Sequence, residues 1–229
     1  KGAYFSAADQ MVACGIGHVR VYTEYASETT FNQEIGIDGI DDGVNVVWDP
    51  DALKPTRSDA MWCFVPVDMT KDAAKEKWPD KQWDAPLQMP IPDYLVNWWT
   101  DDYVRVTEYW RKVPTKKELA LLPNGSILDL TDDEDGAKRA DAEAAGARIE
   151  KRDAHKVERY VISASEILEG PEEWPGSMIP IVPMIGEEIK IGREIMRRGI
   201  IRQLQDVQRL YNYAISADAE AVALQPKAP

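Results

Sequence analysis

The sequence predicts an α+β protein in which a β-rich region with short helices is followed by one long helix. Apolar residues alternate with polar ones at 18–25 and, more loosely, at 31–40, as in half-buried strands. Near the end of the chain the spacing changes to 4, 3, 4 and 3, which places five residues on one face of a helix over 200–224. These five residues are Ile200, Leu204, Val207, Tyr211 and Ala214.

Composition and charge exclude several classes of protein. The 229 residues suffice for one large or two small domains, and the hydrophobic content of 44% is typical of globular proteins. The formal charge of -13 argues against tight binding of a phosphate backbone by the chain as a whole. No apolar run is long enough to predict a membrane span. Cys14 and Cys63 are too few for a disulfide scaffold or a zinc site.

Residues typical of helix caps, turns and loops divide the β-rich region into short elements. The first helix ends at Cys14 before a glycine, and Thr70 caps a helix that continues through Trp78. Asn124 and Gly125 predict a hairpin turn, and Thr131-Asp132-Asp133-Glu134 is expected to cap a polar helix that ends near residue 146. A proline-rich loop is expected over 79–93. Strands are predicted at 18–25, 31–40, 44–48, 60–67, 103–113, 119–122, 127–130, 148–152, 157–162 and 179–183.

An acidic group in the first quarter of the chain offers candidate metal ligands. Its members are Asp38, Asp41, Asp42, Asp49, Asp51 and Asp59. The spacing lacks the closing glutamate of a calcium loop, and aspartate beside proline or glycine is typical of turns. Turn formation is therefore favoured, and a metal-dependent hydrolase built on these loops is the alternative. No metal ligand, cofactor-binding residue or catalytic residue is assigned.

Other catalytic signals are weak. His18 lies in an alternating strand and His155 in a charged stretch, and neither has a nucleophile motif nearby. Gly15 and Gly17 form only a fragment of a glycine-rich loop, and no Gly-Lys-Ser/Thr motif is present. The sequence therefore supports neither a histidine hydrolase nor a nucleotide site.

The eight tryptophans admit two interpretations. They could stack on sugars or bases, but large aromatic side chains more often pack in cores or between subunits. Trp98, Trp99 and Trp110 lie near predicted strands, and packing is favoured for them. Carbohydrate binding is the alternative. The apolar stripe of the long helix similarly suits either a core or side-by-side packing with copies of itself.

The two ends of the chain carry no terminal features of their own. The chain opens at Lys1 inside a helical pattern and stops at Pro229 directly after the long helix. We expect it to be an excerpt of a longer polypeptide.

Four groups of segments, in their order along the chain, resemble the portal proteins of tailed bacteriophages of the podovirus type. The first is Cys14-Gly15-Ile16-Gly17-His18-Val19-Arg20-Val21, which follows a helix. The second is Val47-Trp48-Asp49-Pro50-Asp51-Ala52 with Arg57-Ser58-Asp59-Ala60-Met61-Trp62. The third is Ile167-Leu168-Glu169 with Trp174-Pro175-Gly176 and Ile179-Pro180-Ile181-Val182-Pro183. The fourth runs from Arg198-Gly199-Ile200-Ile201 through Asp206, Gln208, Tyr211-Asn212, Ser216 and Glu220 to Pro226-Lys227.

The resemblance implies a structural subunit, without catalysis or cofactor, of a ring that is usually dodecameric and conducts DNA at one capsid vertex. It implies that residues 1–14 end a preceding helix, 15–183 form a wing-like domain and 184–229 form a stem-like helix leading to a clip. The five stripe residues are then candidates for inter-subunit helix packing, while the channel-lining residues stay unassigned.

The implied partners are further copies of the chain, terminase, scaffolding or major capsid protein, and head-completion proteins. Duplex DNA would pass through the ring without sequence-specific binding, and no membrane is expected. The implied location is the virion, and the host cytoplasm during assembly. A different virion protein that uses its tryptophans on carbohydrate is the remaining structural alternative.

Overall fold

The computed structural model describes residues 2–83, 98–100, 102–131, 133, 136–192 and 194–224. The chain divides into two compact units. The first comprises residues 1–46, 54–57 and 180–229, and the second comprises residues 47–53 and 58–179. Helices and antiparallel sheets occur together, and a long helix is the last described element, so the predicted α+β class is confirmed.

The first unit contains a three-stranded antiparallel sheet of order β2-β1-β9, a separate two-stranded hairpin and two helices. Its elements are α1 (Gly2–Cys14), β1 (Ile16–Tyr25), β2 (Gln33–Gly39), a single 3-10 turn (Gly43–Asn45), β9 (Ile181–Ile185), β10 (Glu187–Ile191), β11 (Glu194–Arg198) and α4 (Ile200–Leu224). The strands that lie between β2 and β9 in the chain belong to the second unit.

Helix α1 packs on β1 and closes the core of the first unit. Ala7 of the helix and Ile16 and Val19 of the strand are buried. The helix ends as the sequence predicts, because the N–H of Gly15 donates to the carbonyl of Met11 at 2.8 Å. β1 therefore starts immediately after α1 and packs against it.

The second unit is a six-stranded antiparallel sheet with two short helices. The strand order is β3-β4-β5-β7-β8, and β6 pairs with β5. Its elements are β3 (Val47–Trp48), β4 (Trp62–Thr70), α2 (Lys71–Lys77), β5 (Tyr103–Leu121), β6 (Ile127–Asp129), α3 (Ala137–Ala144), β7 (Arg148–Ile162) and β8 (Ile167–Trp174).

Two apolar clusters stabilise the second unit. The larger one joins α2 to the sheet, and the predicted cap is confirmed because Thr70 Oγ1 accepts from the N–H of Ala73 at 3.3 Å. The smaller one lies beneath α3, where Ala120, Leu130 and Ala142 are buried. The larger cluster consists of Ala74, Trp78, Trp83, Val104, Val106 and Val161.

Strand continuity differs from the sequence prediction. The segments predicted separately at 103–113 and 119–122 belong to the single strand β5, and those at 148–152 and 157–162 to the single strand β7. Pro114 does not break β5, because the pairing of β4 with β5 ends opposite Arg111. Beyond Arg111 β4 no longer lies along this edge of β5. The backbone there need not donate a hydrogen bond to β4, so proline, which has no N–H, is tolerated.

Other element boundaries match the predictions only in part. Only residues 47 and 48 of the strand expected at 44–48 are extended, and residues 43–45 form the 3-10 turn. Helix α3 starts after Gly136, and Asp133 of the predicted capping group accepts from the N–H groups of Lys138 and Arg139 at 3.3 and 2.8 Å. The long helix starts at Ile200, as its spacing predicts, and residues 187–191 and 194–198 before it form the β10–β11 hairpin. Residues 84–93 of the expected proline-rich loop lie outside the described residues.

Candidate assembly site on the long helix

Helix α4 exposes its apolar side chains. It has 25 residues, which corresponds to a length of about 37 Å, and none of them is buried. The structure confirms that the five stripe residues belong to one helix, and their role in contacts between subunits stays a prediction. The exposed fractions of the four larger ones are 57% for Ile200, 52% for Leu204, 62% for Val207 and 60% for Tyr211, and Ala214 is also exposed.

A second apolar strip lies on another side of the same helix. Leu210, Tyr213 and Leu224 have exposed fractions of 70%, 74% and 74%. At about 100° per residue, Leu210 lies roughly 90° from the centre of the stripe and Tyr213 lies farther round. Sequence reasoning missed this strip, although the three-residue spacing of Leu210 and Tyr213 is a helical signal. The helix therefore offers apolar surface in two directions.

Close contacts between backbone segments surround the start of α4. The glycines that make these contacts, Gly17 and Gly199, are called the α4 root. A side-chain carbon at Gly17 would lie 2.0 Å from the carbonyl oxygen of Ala7. A side-chain carbon at Gly199 would lie 2.3 Å from the carbonyl oxygen of Ala13. Only glycine permits such contact with a neighbouring backbone. As a result α1 lies directly against both β1 and the residue that precedes α4.

A buried ion-pair group braces the hairpin that leads into α4. The guanidinium of Arg57 is almost fully buried and donates from Nη2 to both oxygens of Glu188, at 2.6 and 2.5 Å. Arg197 donates from Nε to the same carboxylate at 3.0 Å. Burial alone would raise the pKa of Glu188, but the hydrogen bonds from Arg197 and Arg57 outweigh it and lower that pKa. The carboxylate is therefore charged and accepts hydrogen bonds from both guanidinium groups.

His18 is fully buried in the same unit. Its Nδ1 lies 2.5 Å from the carbonyl oxygen of Gly43, to which the neutral ring can donate. The pKa of His18 is lowered to about 4, mainly by burial; the carbonyl of Gly43 opposes this shift, and the positive charges of Arg197 and Arg57 add to it. His18 is thus a neutral structural residue near neutral pH, remote from solvent and unsuited to general-base chemistry.

The first turn of α4 is tied to the hairpin by a side-chain contact. Gln203 donates from Nε2 to Glu187 Oε2 at 3.0 Å. Glu187 and Glu188 are neighbours on β10, so successive residues of one strand bind the helix and the two arginines. The direction in which α4 leaves the unit is thereby coupled to the hairpin.

Two of the aspartates considered as metal ligands accept hydrogen bonds from backbone N–H groups nearby in the chain. Asp49 accepts from the N–H groups of Asp51 and Met61, each at 3.0 Å. Asp59 accepts from the N–H of Leu53 at 2.7 Å. Among the described residues no three histidine, cysteine or acidic side chains are grouped so as to hold a metal ion. Asp49 and Asp59 thus accept hydrogen bonds from backbone N–H groups of the 49–61 segment, as the turn interpretation predicts for aspartates.

The aromatic residues proposed for sugar stacking differ in exposure. Trp110 is buried and contacts Trp174 edge to face at 6.0 Å between ring centroids, which confirms packing at this position. Trp98 and Trp99 are half-buried, and Trp99 packs against the larger cluster of the second unit. His155, the second histidine considered for catalysis, is exposed on β7.

Charged residues are distributed along helix α4. It carries Arg202, Asp206, Arg209, Asp218 and Glu220. Within the described part of the chain, no helix is both long and apolar enough to cross a membrane.

Comparison with known proteins identifies the family. A sequence model of the phage P22-like portal protein family matches residues 1–229. The chain belongs to this family. The resemblance to phage portal proteins is thereby confirmed, and two of the segments that carried it contain Gly17 and Gly199 of the α4 root.

One related portal protein comes from Acyrthosiphon pisum secondary endosymbiont phage 1. It is 29% identical over 203 residues, an alignment that covers 82% of this chain and 27% of that protein. The chain thus spans about a quarter of the length of the portal protein that it matches.

Proposed function

We propose that this chain belongs to the subunit of a phage portal, a closed homo-oligomeric ring that conducts duplex DNA during packaging and ejection at one capsid vertex. The observation that supports this most directly is the exposure of α4, whose 25 residues include no buried one. An isolated helix with this much apolar surface needs a partner, since stability of helices comes mainly from packing.

A ring accounts for apolar surface in two directions. Each subunit of a cyclic assembly has two neighbours and meets them through different faces. The stripe of Ile200, Leu204, Val207, Tyr211 and Ala214 would pack against one neighbouring helix. The strip of Leu210, Tyr213 and Leu224 would meet the other neighbour. The family resemblance favours twelve copies.

The domain roles follow the same proposal. Residues 1–14 would end a preceding helix, 15–183 would form the wing and 184–229 the stem that leads to the clip. Within 184–229 the β10–β11 hairpin precedes the helix, so the stem would begin with a braced hairpin. Glu188 and its two arginines would keep that connection rigid when neighbouring subunits load the helix.

The charge of the chain suits a conduit. The net charge of -13 disfavours tight phosphate binding by the chain as a whole. Helix α4 has two basic and three acidic residues, which limits its attraction for a polyanion. DNA would therefore pass without sequence-specific contacts, and ATP hydrolysis would belong to a docked terminase rather than to the ring.

The remaining partners follow from the position of a portal in the particle. Scaffolding or major capsid protein would contact the ring during assembly in the host cytoplasm. Head-completion proteins would close it after packaging, and the mature ring would be part of the virion.

Negative-stain electron microscopy of the full-length protein tests the proposal. We expect rings with a central channel wide enough for duplex DNA over a range of protein concentrations and salt. A matched pair of variants, Leu204→Asp in the stripe and Gln205→Asp on the exposed side of α4 away from both apolar strips, separates the stripe from general effects of charge. Particles without a channel under every condition would refute the ring and the conduit.

A further inference from the structure

The hairpin of β1 and β2 carries exposed apolar side chains at its tip. Phe31, in the connection between the strands, has an exposed fraction of 96%. Ile35 and Tyr25 beside it have exposed fractions of 75% and 61%. Thr23 pairs with Ile35, so Tyr25 and Ile35 lie diagonally on one face of the ribbon. Exposed apolar groups at this density mark a contact surface.

The same hairpin is acidic. Residues 20–39 contain four acidic residues and one basic residue, a net charge of -3. Glu24 pairs directly with Glu34 across the ribbon. Like charges that face each other destabilise a strand pair unless a cation lies nearby. An isolated tip therefore presents apolar side chains together with uncompensated negative charge.

The second unit contains a groove of complementary character at the far end of β5 and β7. Its lining consists of apolar residues, called the floor, and charged residues, called the rim: Leu119, Leu121 and Ile127 are apolar, and Arg148, Glu150 and Arg152 are charged. Its volume is about 200 Å³, enough for an aromatic side chain. Leu121 and Ile127 have exposed fractions of 46% and 68%, so the floor is open to solvent.

The strands that form the groove are basic. Residues 111–121 of β5 and 148–158 of β7 contain eight basic and four acidic residues, a net charge of +4 in a chain of charge -13. Both arginines on the rim approach Glu150, and their side chains remain 77% and 69% exposed. The rim can therefore bind further carboxylates, such as those of an acidic peptide segment.

We propose that the β1–β2 tip of one copy binds the β5–β7 groove of the next copy, with Phe31 on the apolar floor and the flanking glutamates on the arginine rim. The inference rests on the proposed ring. A second copy is the occupant because one chain carries both halves of the contact, and they are opposite in charge and alike in apolar character. Two different patches that meet head to tail form a heterologous interface, the type that closes a ring.

Cross-linking between differently tagged copies tests the contact in the full-length protein. Phe31→Cys is placed in one copy and Ile127→Cys in the other, in a background in which the exposed Cys14 and any other exposed cysteine are replaced. We expect a short bismaleimide to join the two tagged copies. A copy with Glu76→Cys on the exposed face of α2 replaces Ile127→Cys as the control and should give no product.

Charge exchange tests the same contact without a cross-linker. Glu28→Arg with Glu34→Arg, or Arg148→Glu with Arg152→Glu, should each weaken assembly about threefold to tenfold, and the combination should restore it. Phe31→Ala should weaken assembly about tenfold to a hundredfold, and Leu53→Ala at another exposed apolar position should not.

The outcomes separate this inference from the proposed function. Rings seen by microscopy without a cross-linked product, or without rescue by charge exchange, would overturn the docking of the tip and leave the ring intact. Equal cross-linking to the control position would also overturn it. A full-length protein that forms no ring would refute the proposed function and this contact together.

Discussion

Arg197 faces Glu188 across the β10–β11 hairpin, and its Nε lies 3.0 Å from a carboxylate oxygen that Arg57 also binds. Arg57 comes from a segment more than a hundred residues away in the sequence. The group therefore joins three parts of the first unit just before α4 begins. Because Arg57 is buried, the negative charge of Glu188 offsets part of the free-energy cost of that burial.

Replacement of Glu188 by glutamine should destabilise the first unit. The change removes the negative charge that neutralises the buried guanidinium of Arg57, and loss of one partner of a buried ion pair costs about 3 kcal/mol. Urea denaturation measures the free energy of unfolding. Glu194→Gln on the same hairpin is the control, because Glu194 is exposed and its loss should change stability by less than about 0.5 kcal/mol. Equal stability of the two variants would contradict the role of Glu188.

Local signals predicted the parts of the fold that depend on neighbouring residues. The end of α1 before Gly15, the cap at Thr70 and the 25-residue helix from Ile200 are all present. Each rests on contacts within a few positions of the chain. The continuity of β5 depends instead on where β4 stops opposite Arg111, and no local pattern carries that information.

The candidate site was predicted only in part for the same reason. The stripe on α4 follows from helical spacing, so its five residues could be named from the sequence. The grouping of Arg57, Glu188 and Arg197 could not, since it joins residues of opposite charge from distant segments. The hairpin that presents Glu188 was also missed, because its short strands alternate irregularly between charged and apolar residues.

Mild acid should destabilise the protein through His18. The ordinary pKa of 6.5 falls to about 4 in the folded state, so between these values the unfolded chain binds more protons. The free energy of unfolding therefore decreases as the pH falls from about 6.5 to about 4, by about 3 kcal/mol in total for this group. Denaturation at a series of pH values measures the slope.

His18→Gln should reduce that pH dependence, whatever its effect on stability at neutral pH. His155→Gln is the matched control, because His155 is exposed and should leave the slope unchanged. An identical slope in the parent chain and His18→Gln would rule out the buried histidine as its source.

Gly17→Ala should disrupt the packing of α1 on β1. The added carbon would lie 2.0 Å from the carbonyl oxygen of Ala7, a backbone atom that cannot rotate away. Overpacking of this kind costs about 3 kcal/mol. Thermal unfolding monitored by circular dichroism measures the loss. Gly2→Ala, at the start of the same helix with no atom within 4 Å of the new carbon, should leave the melting temperature nearly unchanged or raise it. A small effect at both positions would show that α1 can move off the strand.

Leu204→Gln should impair assembly of the full-length protein and leave the fold of the individual subunit intact. Leu204 is half exposed and no residue of α4 is buried, so the melting temperature should change little. In the ring, the same side chain would be buried between helices, where its loss removes roughly 1.5 to 3 kcal/mol at each of several equivalent contacts. Because every subunit repeats the contact, the loss of ring assembly should be larger than the loss of a single contact would cause.

Sedimentation velocity over a range of concentrations separates rings from free subunits, and Gln205→Ala, on the exposed side of α4 away from both apolar strips, is the control. Tyr213→Gln extends the test to the second strip, which would face the other neighbour and should show the same defect. If Leu204→Gln and Tyr213→Gln assembled as well as Gln205→Ala, the ring would have to be held by contacts elsewhere on the subunit and not by helix packing.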